Sequence, residues 1–139
     1  MTVSDAASGK IIWLDEIYDG EIFFVEYFHS VNRSPVADVY GVADGGLFFA
    51  GTRFYSFGAG MPEENIFFCG DGSVFAECGA KMPHAAYASG YIAEQTLVFR
   101  GEKYSFGKFA APGKIIKLAV KKIMPHKKIL LQIFSHSLK

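Results

Sequence analysis

Only two cysteines, one tryptophan and five prolines occur among the 139 residues. Cys69 and Cys78 lie in "FFCGDGSVFAEC", around Asp71-Gly72, a strong hairpin signal. A two-residue turn there sets Cys69 opposite Val74 and Cys78 opposite Asn65, on different rungs and too far apart to bridge. The expectation is free, packed thiols in a reducing, cytoplasmic setting.

Long hydrophobic runs are also missing. No uninterrupted apolar stretch approaches the roughly 18–20 residues of a membrane span. The opening "MTVSDAASGK" has no basic segment followed by an apolar one, so it reads as a flexible lead over residues 1–9 and not as a secretory signal.

The usual catalytic signatures are absent as well. There is no HExxH, no CxxC, no GxSxG, and no GxGxxG after a strand. "GKFAAPGKI" has five residues between its glycines where a P-loop has four, and Ile where a magnesium-binding Ser or Thr belongs. The four histidines are scattered, so no metal site and no cofactor are expected. Catalysis is left open, with the balance against it.

What is abundant points to strands. Fourteen Phe, seven Tyr and fifteen Gly suit pleated, half-buried strands joined by tight turns. Turn signals at Asp19-Gly20, "NRSP" (32–35), "ADGG", "AGTR", "CGDGS" and "RGEK" recur every 10–14 residues or so. Loops are expected at 61–64, 79–86 and 108–113. The prediction is a single all-β domain over 1–139, an antiparallel meander of about nine to eleven short strands closed as a barrel or packed as a sandwich. "LFFAGTRFYSFG" and "LVFRGEKYSFG" echo one another, as do "GAGMP" and "GAKMP", but at unequal spacings that give no repeat period.

Two registers follow from assumed turns. Asp19-Gly20 pairs Ile17 with Ile22, Leu14 with Val25 and Ile12 with Tyr27. A turn centred on Arg33-Ser34 pairs Val25 with Val42, Tyr27 with Tyr40, and His29 with Asp38. A carboxylate opposite an imidazole orients it, and the two tyrosines beside them make this a candidate polar end of a pocket. An ordinary cross-strand ion pair is the plainer alternative.

The formal net charge of zero conceals a split. Residues 1–99 hold four basic and thirteen acidic side chains, and residues 100–139 hold ten basic and one acidic. The positive part is "KIIKLAVKKIMPHKKILLQIFSHSLK", Lys114 to Lys139. It reads either as a closing hairpin turning at Pro125-His126 or as a basic helix kinked at Pro125. In both, Lys117, Lys121, Lys122, Lys127 and Lys128 mark a basic surface. Little Arg accompanies them, which argues against nucleic acid.

The leading expectation is therefore a non-catalytic β-rich module that engages a protein partner or its own copies through the charge split. The alternatives are a small β-barrel enzyme or ligand carrier using His29, Asp38, Tyr27 and Tyr40, and peripheral attachment to an anionic membrane surface through the tail.

Overall fold

The structure, a computed structural model, describes residues 1–31, 33–58, 60–90 and 92–122. Its eleven strands are β1 (Thr2–Asp5), β2 (Ile11–Leu14), β3 (Ile22–Phe28), β4 (Pro35–Ala43), β5 (Gly46–Phe54), β6 (Ile66–Phe68), β7 (Val74–Met82), β8 (Ala85–Ala88), β9 (Thr96–Phe99), β10 (Glu102–Ser105) and β11 (Ile115–Ala119). They form a small sheet of order β2-β1-β11-β8 and a large sheet of order β10-β9-β3-β4-β5-β7-β6. Every pairing is antiparallel. The protein is all-β and sandwich-like, and the described residues form no closed barrel.

The inner faces meet in one core. Val3, Trp13, Ile116 and Leu118 of the small sheet pack with Phe23, Val25, Leu97 and Phe99 of the large one. Period-two alternation explains the choice: Ile116 and Leu118 are fully buried, while Ile115 and Lys117 beside them are not. A second cluster, Val36, Phe54, Val74 and Ala76, lies toward the other end of the large sheet with Met61 and Ile66 packed on it.

Several turns fall where the dipeptides place them. Asp44 and Gly45, both at positive φ, join Ala43 to Gly46, and Arg100-Gly101 joins Phe99 to Glu102 in the same way. Asp19-Gly20 is also a turn, but it makes no hairpin. β2 pairs with β1 in the small sheet, and β3 pairs with β4 and β9 in the large one. The expected pairs Leu14–Val25 and Ile12–Tyr27 do not form, because residues 15–21 carry the chain from one sheet to the other.

The Arg33-Ser34 register is displaced by four residues. Val25 faces Asp38, Tyr27 faces Val36 and Phe23 faces Tyr40. The connection is a six-residue loop, 29–34, with His29 N–H donating to Ser34 O and Arg33 N–H to His29 O. An even displacement keeps every side chain on its expected face while changing its neighbour.

"AGTR" is not a turn. Gly51 lies inside β5, where the registers to β4 and β7 both shift at a bulge. A Cβ on Gly51 would collide with the Ala76 carbonyl oxygen and the Phe75 ring, so only glycine lets the strands close here. "LFFAGTR" is therefore one strand, whereas its echo "LVFRGEK" is a hairpin. β7 likewise continues through Gly79–Met82, where a loop is expected.

The first nine residues are not a flexible lead. β1 is a central strand of the small sheet, paired on both sides, with Val3 fully buried and Met1 nearly so. The apolar Val3 suffices because β2 and β11 supply both hydrogen-bonding edges. Within the tail, Ile115–Ala119 is a strand between β1 and β8, which rules out a helix there. The proposed return strand, with Lys127 and Lys128, lies outside the described residues. Both cysteines are free, as expected, but Cys78 is exposed and not packed. The turn before β7 spans one residue more than assumed, so Cys69 faces Ser73 and Asn65 meets Glu77.

Candidate functional site

The inward face of β4 carries a carboxylate and a phenol in an otherwise apolar layer. Val36, Asp38, Tyr40 and Val42 alternate along it, and all but Asp38 are buried. The Tyr40 ring stacks on Phe23 at 5.1 Å and tilts against Phe49. Across the sandwich, Tyr87 of β8 lies opposite Ile116 of β11, with its ring edge-on to Phe106. Packing therefore holds both phenols in place before any hydrogen bond forms.

Two hydroxyls then converge on one acid, and a third backs one of them. Asp38 Oδ1 accepts from Thr52 Oγ1 at 2.9 Å, and Asp38 Oδ2 accepts from the Tyr87 hydroxyl at 2.7 Å. The Tyr40 and Tyr87 hydroxyl oxygens are 2.5 Å apart. A phenol has one hydrogen, and that of Tyr87 goes to the carboxylate. Tyr40 is therefore the donor to Tyr87, and the chain runs Tyr40 to Tyr87 to Asp38, crossing from the large sheet to the small one and back.

Burial governs the protonation of this group. It raises the Asp38 carboxyl above the usual range, against the hydrogen bonds from Tyr87 and Thr52. Burial pushes Tyr40 up to about 12, and burial together with the nearby Asp38 charge does the same for Tyr27. Tyr87 is raised too, first by burial and then by the charge on Asp38. Each of these phenols stays protonated at neutral pH. No ion pair among the described residues includes Asp38.

Tyr87, the middle member of this chain, lines a cleft of about 610 Å³ at one end of the sandwich. Tyr27 and His29 contribute from the end of β3, Tyr87 from β8, and Ser89, Ile92 and Gln95 from the segment that follows. Gln95 is pinned on both sides: its backbone oxygen accepts from Phe106 N–H, and its Nε2 donates to Ala88 O at 2.8 Å. Its Oε1 is buried with no partner.

Of the residues expected at a pocket, Tyr27 and His29 line the cleft, and Asp38 and Tyr40 stand behind Tyr87. The predicted cross-strand pairs His29–Asp38 and Tyr27–Tyr40 are not formed, because His29 lies beyond β3 and Asp38 faces Val25. Tyr87, Thr52 and Gln95 were missed. Tyr87 is 47 residues from Tyr40 and on the other sheet, so no local pattern links them. The only sequence trace is its place in the short alternating segment "AAYA".

The basic candidates lie elsewhere. Lys117 is half-buried on β11 opposite Ser4 and Ala86, and Lys121 and Lys122 are exposed. The Lys122 stem lies across Gly45. The ion pairs use other cations: Arg53 with Asp71, Lys81 with Asp44, Arg100 with Glu21, and Lys103 with Glu26. Among the described residues, Lys117, Lys121 and Lys122 join none of them. No helix among the described residues is long and apolar enough to cross a membrane, which says nothing of strands.

No curated protein and no solved structure matches the chain. A family model described as a domain of unknown function, DUF1850, matches residues 23–106. That segment holds almost all of the large sheet together with Asp38, Tyr40, Tyr87 and Gln95, while β1, β2 and β11 fall outside it. With more than half of its length matched, this chain belongs to the DUF1850 family.

Proposed function

We propose that this protein is a non-catalytic β-sandwich binding module whose ligand seat is the cleft beside Tyr27, His29 and Tyr87. The observation that carries this reading is the inter-sheet chain from Tyr40 through Tyr87 to Asp38, whose middle member, Tyr87, lines the cleft. A fixed, mostly apolar concavity with a few oriented polar groups is the usual form of a small-molecule site. Phenols held well above neutrality keep their protons, which suits holding a ligand better than moving a proton. Two free thiols fit a reducing, cytoplasmic setting.

The test is a small-molecule fragment screen by two-dimensional NMR on the labelled full chain. Binding should shift amide resonances around Tyr27, His29, Tyr87 and Gln95. Shifts confined to other surfaces, or none at all, would remove the cleft as the seat.

A second reading, a protein partner or self-association through charge, is favoured by Lys117, Lys121 and Lys122, which no described carboxylate neutralises. It predicts association at low salt that weakens at high salt. A monomer in sedimentation at both salt concentrations would end self-association, and binding to an acidic protein column that ignored salt would end the rest.

A further inference from the structure

The cleft differs from its surroundings in charge. None of its described lining residues is Lys, Arg, Asp or Glu. A neighbouring groove of about 340 Å³ shares Tyr27 and Phe28 with it, and that groove carries Glu26, Glu94 and Arg53. Charged side chains therefore stand at this end of the sandwich, but they line the groove and not the cleft. Asp38 bonds to Tyr87 from behind and is not part of the lining.

The polar groups that line the cleft include neutral ones of both hydrogen-bonding kinds. Ser30, Tyr87 and Ser89 bring hydroxyls and Gln95 an amide. Gln95 Nε2 gives one hydrogen to Ala88 O and keeps a second. The Ser89 hydroxyl donates to Ala110 O at 3.2 Å and can still accept. Donors and acceptors together suit an uncharged hydroxyl or amide, which needs one of each. An ion brought to the same lining gives up its hydration with no opposite charge to replace it.

The remainder of the lining is apolar and runs out to the surface. Phe28 is 49 % exposed and Ile92 77 % exposed, with Ala93 and Pro112 in the same lining. Large apolar side chains left in water at the mouth of a cleft are surface that the apolar body of a ligand gains by covering.

We propose that the cleft takes an uncharged amphiphile, with a hydroxyl or amide head among Ser30, Tyr87 and Gln95 and a hydrocarbon body against Phe28, Ile92 and Pro112. This deepens the cleft reading above and rests on it. The site then selects its ligand twice, by the absence of charge on the head and by the length of the body.

The experiment titrates the labelled full chain by two-dimensional NMR at pH 8, where imidazoles are mostly uncharged. The probes are 1-hexanol, hexylammonium and hexanoate, followed by 1-butanol and 1-octanol. Hexanol should bind about tenfold or more tighter than either ion, the ratio expected when a charged head is desolvated without a partner. From butanol to octanol the affinity should rise about threefold for each methylene covered. An ion that binds in the cleft as tightly as hexanol overturns the uncharged head and leaves the cleft standing as a seat. Equal affinity for butanol and octanol in the cleft overturns the hydrocarbon body and also leaves the seat standing. If no probe moves the amide resonances around Tyr27, His29, Tyr87 and Gln95, both readings fail.

Discussion

The Tyr87 hydroxyl lies 2.7 Å from Asp38 Oδ2, although the two residues belong to different sheets and are 49 positions apart. This bond ties the sandwich together at the end where the cleft opens. It also fixes the proton order of the network, because it uses the only hydrogen Tyr87 has.

That order ranks two substitutions. Tyr87→Phe removes both hydroxyl bonds and strips a partially buried carboxylate of one donor, so it should cost about 2–3 kcal/mol in urea denaturation. Tyr40→Phe removes one neutral donor and leaves Asp38 served, so it should cost about 1 kcal/mol. The double variant should cost less than the sum, since the lost Tyr40–Tyr87 bond is shared. Equal costs with full additivity would contradict the chain.

The tyrosines should also titrate out of step. Of the seven, Tyr27 and Tyr40 are raised to about 12 and Tyr87 is raised as well. Above pH 10 the unfolded chain loses phenolic protons that the folded chain still holds. Stability contributed by these groups is therefore fully present below pH 10 and declines as pH rises through about 12. Tyrosinate absorbance should show four late phenols in the folded protein, the fourth being Tyr18, raised first by its hydrogen bond to Glu16, and all should titrate ordinarily in denaturant.

Gly51→Ala tests the bulge. The added methyl meets the Ala76 carbonyl oxygen and the Phe75 ring, and alanine strains at this φ of 154°. A loss of about 1–3 kcal/mol is expected. Gly58→Ala, with open space around the position, isolates the backbone cost alone. If the two variants lose equally, the close approach at Gly51 carries no weight.

Val3→Ala tests the first strand. A fully buried valine at the middle of the small sheet should be worth about 2 kcal/mol. Stability within a few tenths of a kcal/mol of the original would mean that the N-terminal residues are the flexible lead they resemble in sequence.

The reach of local pattern can be traced through β3 and β4. The register assumed from the turn puts Val25, Tyr40 and Val42 on one face, and the structure buries all three. The assumed two-residue loop misplaces their partners by four positions, since nothing local measures the length of a loop. The Asp44-Gly45 and Arg100-Gly101 turns are legible because a two-residue turn at positive φ is a local requirement. Asp19-Gly20 carries the same dipeptide signal, but only Gly20 takes positive φ, and the turn joins two sheets because pairing depends on which strand edge is free. The site divides in the same manner. Tyr27, His29, Asp38 and Tyr40 were recognisable as a polar group near a strand end, whereas Tyr87 and Gln95 were not.

Composition, alternation and turn chemistry by themselves determined the all-β class, the inward faces and the tight turns, because each depends on interactions within a few residues. Tertiary structure alone decided that β1 is central and that Gly51 sits in a strand. It also decided that Tyr87 completes the Asp38 network. These outcomes depend on which surfaces meet when two sheets close on one core, and that is set by packing between segments far apart in the chain.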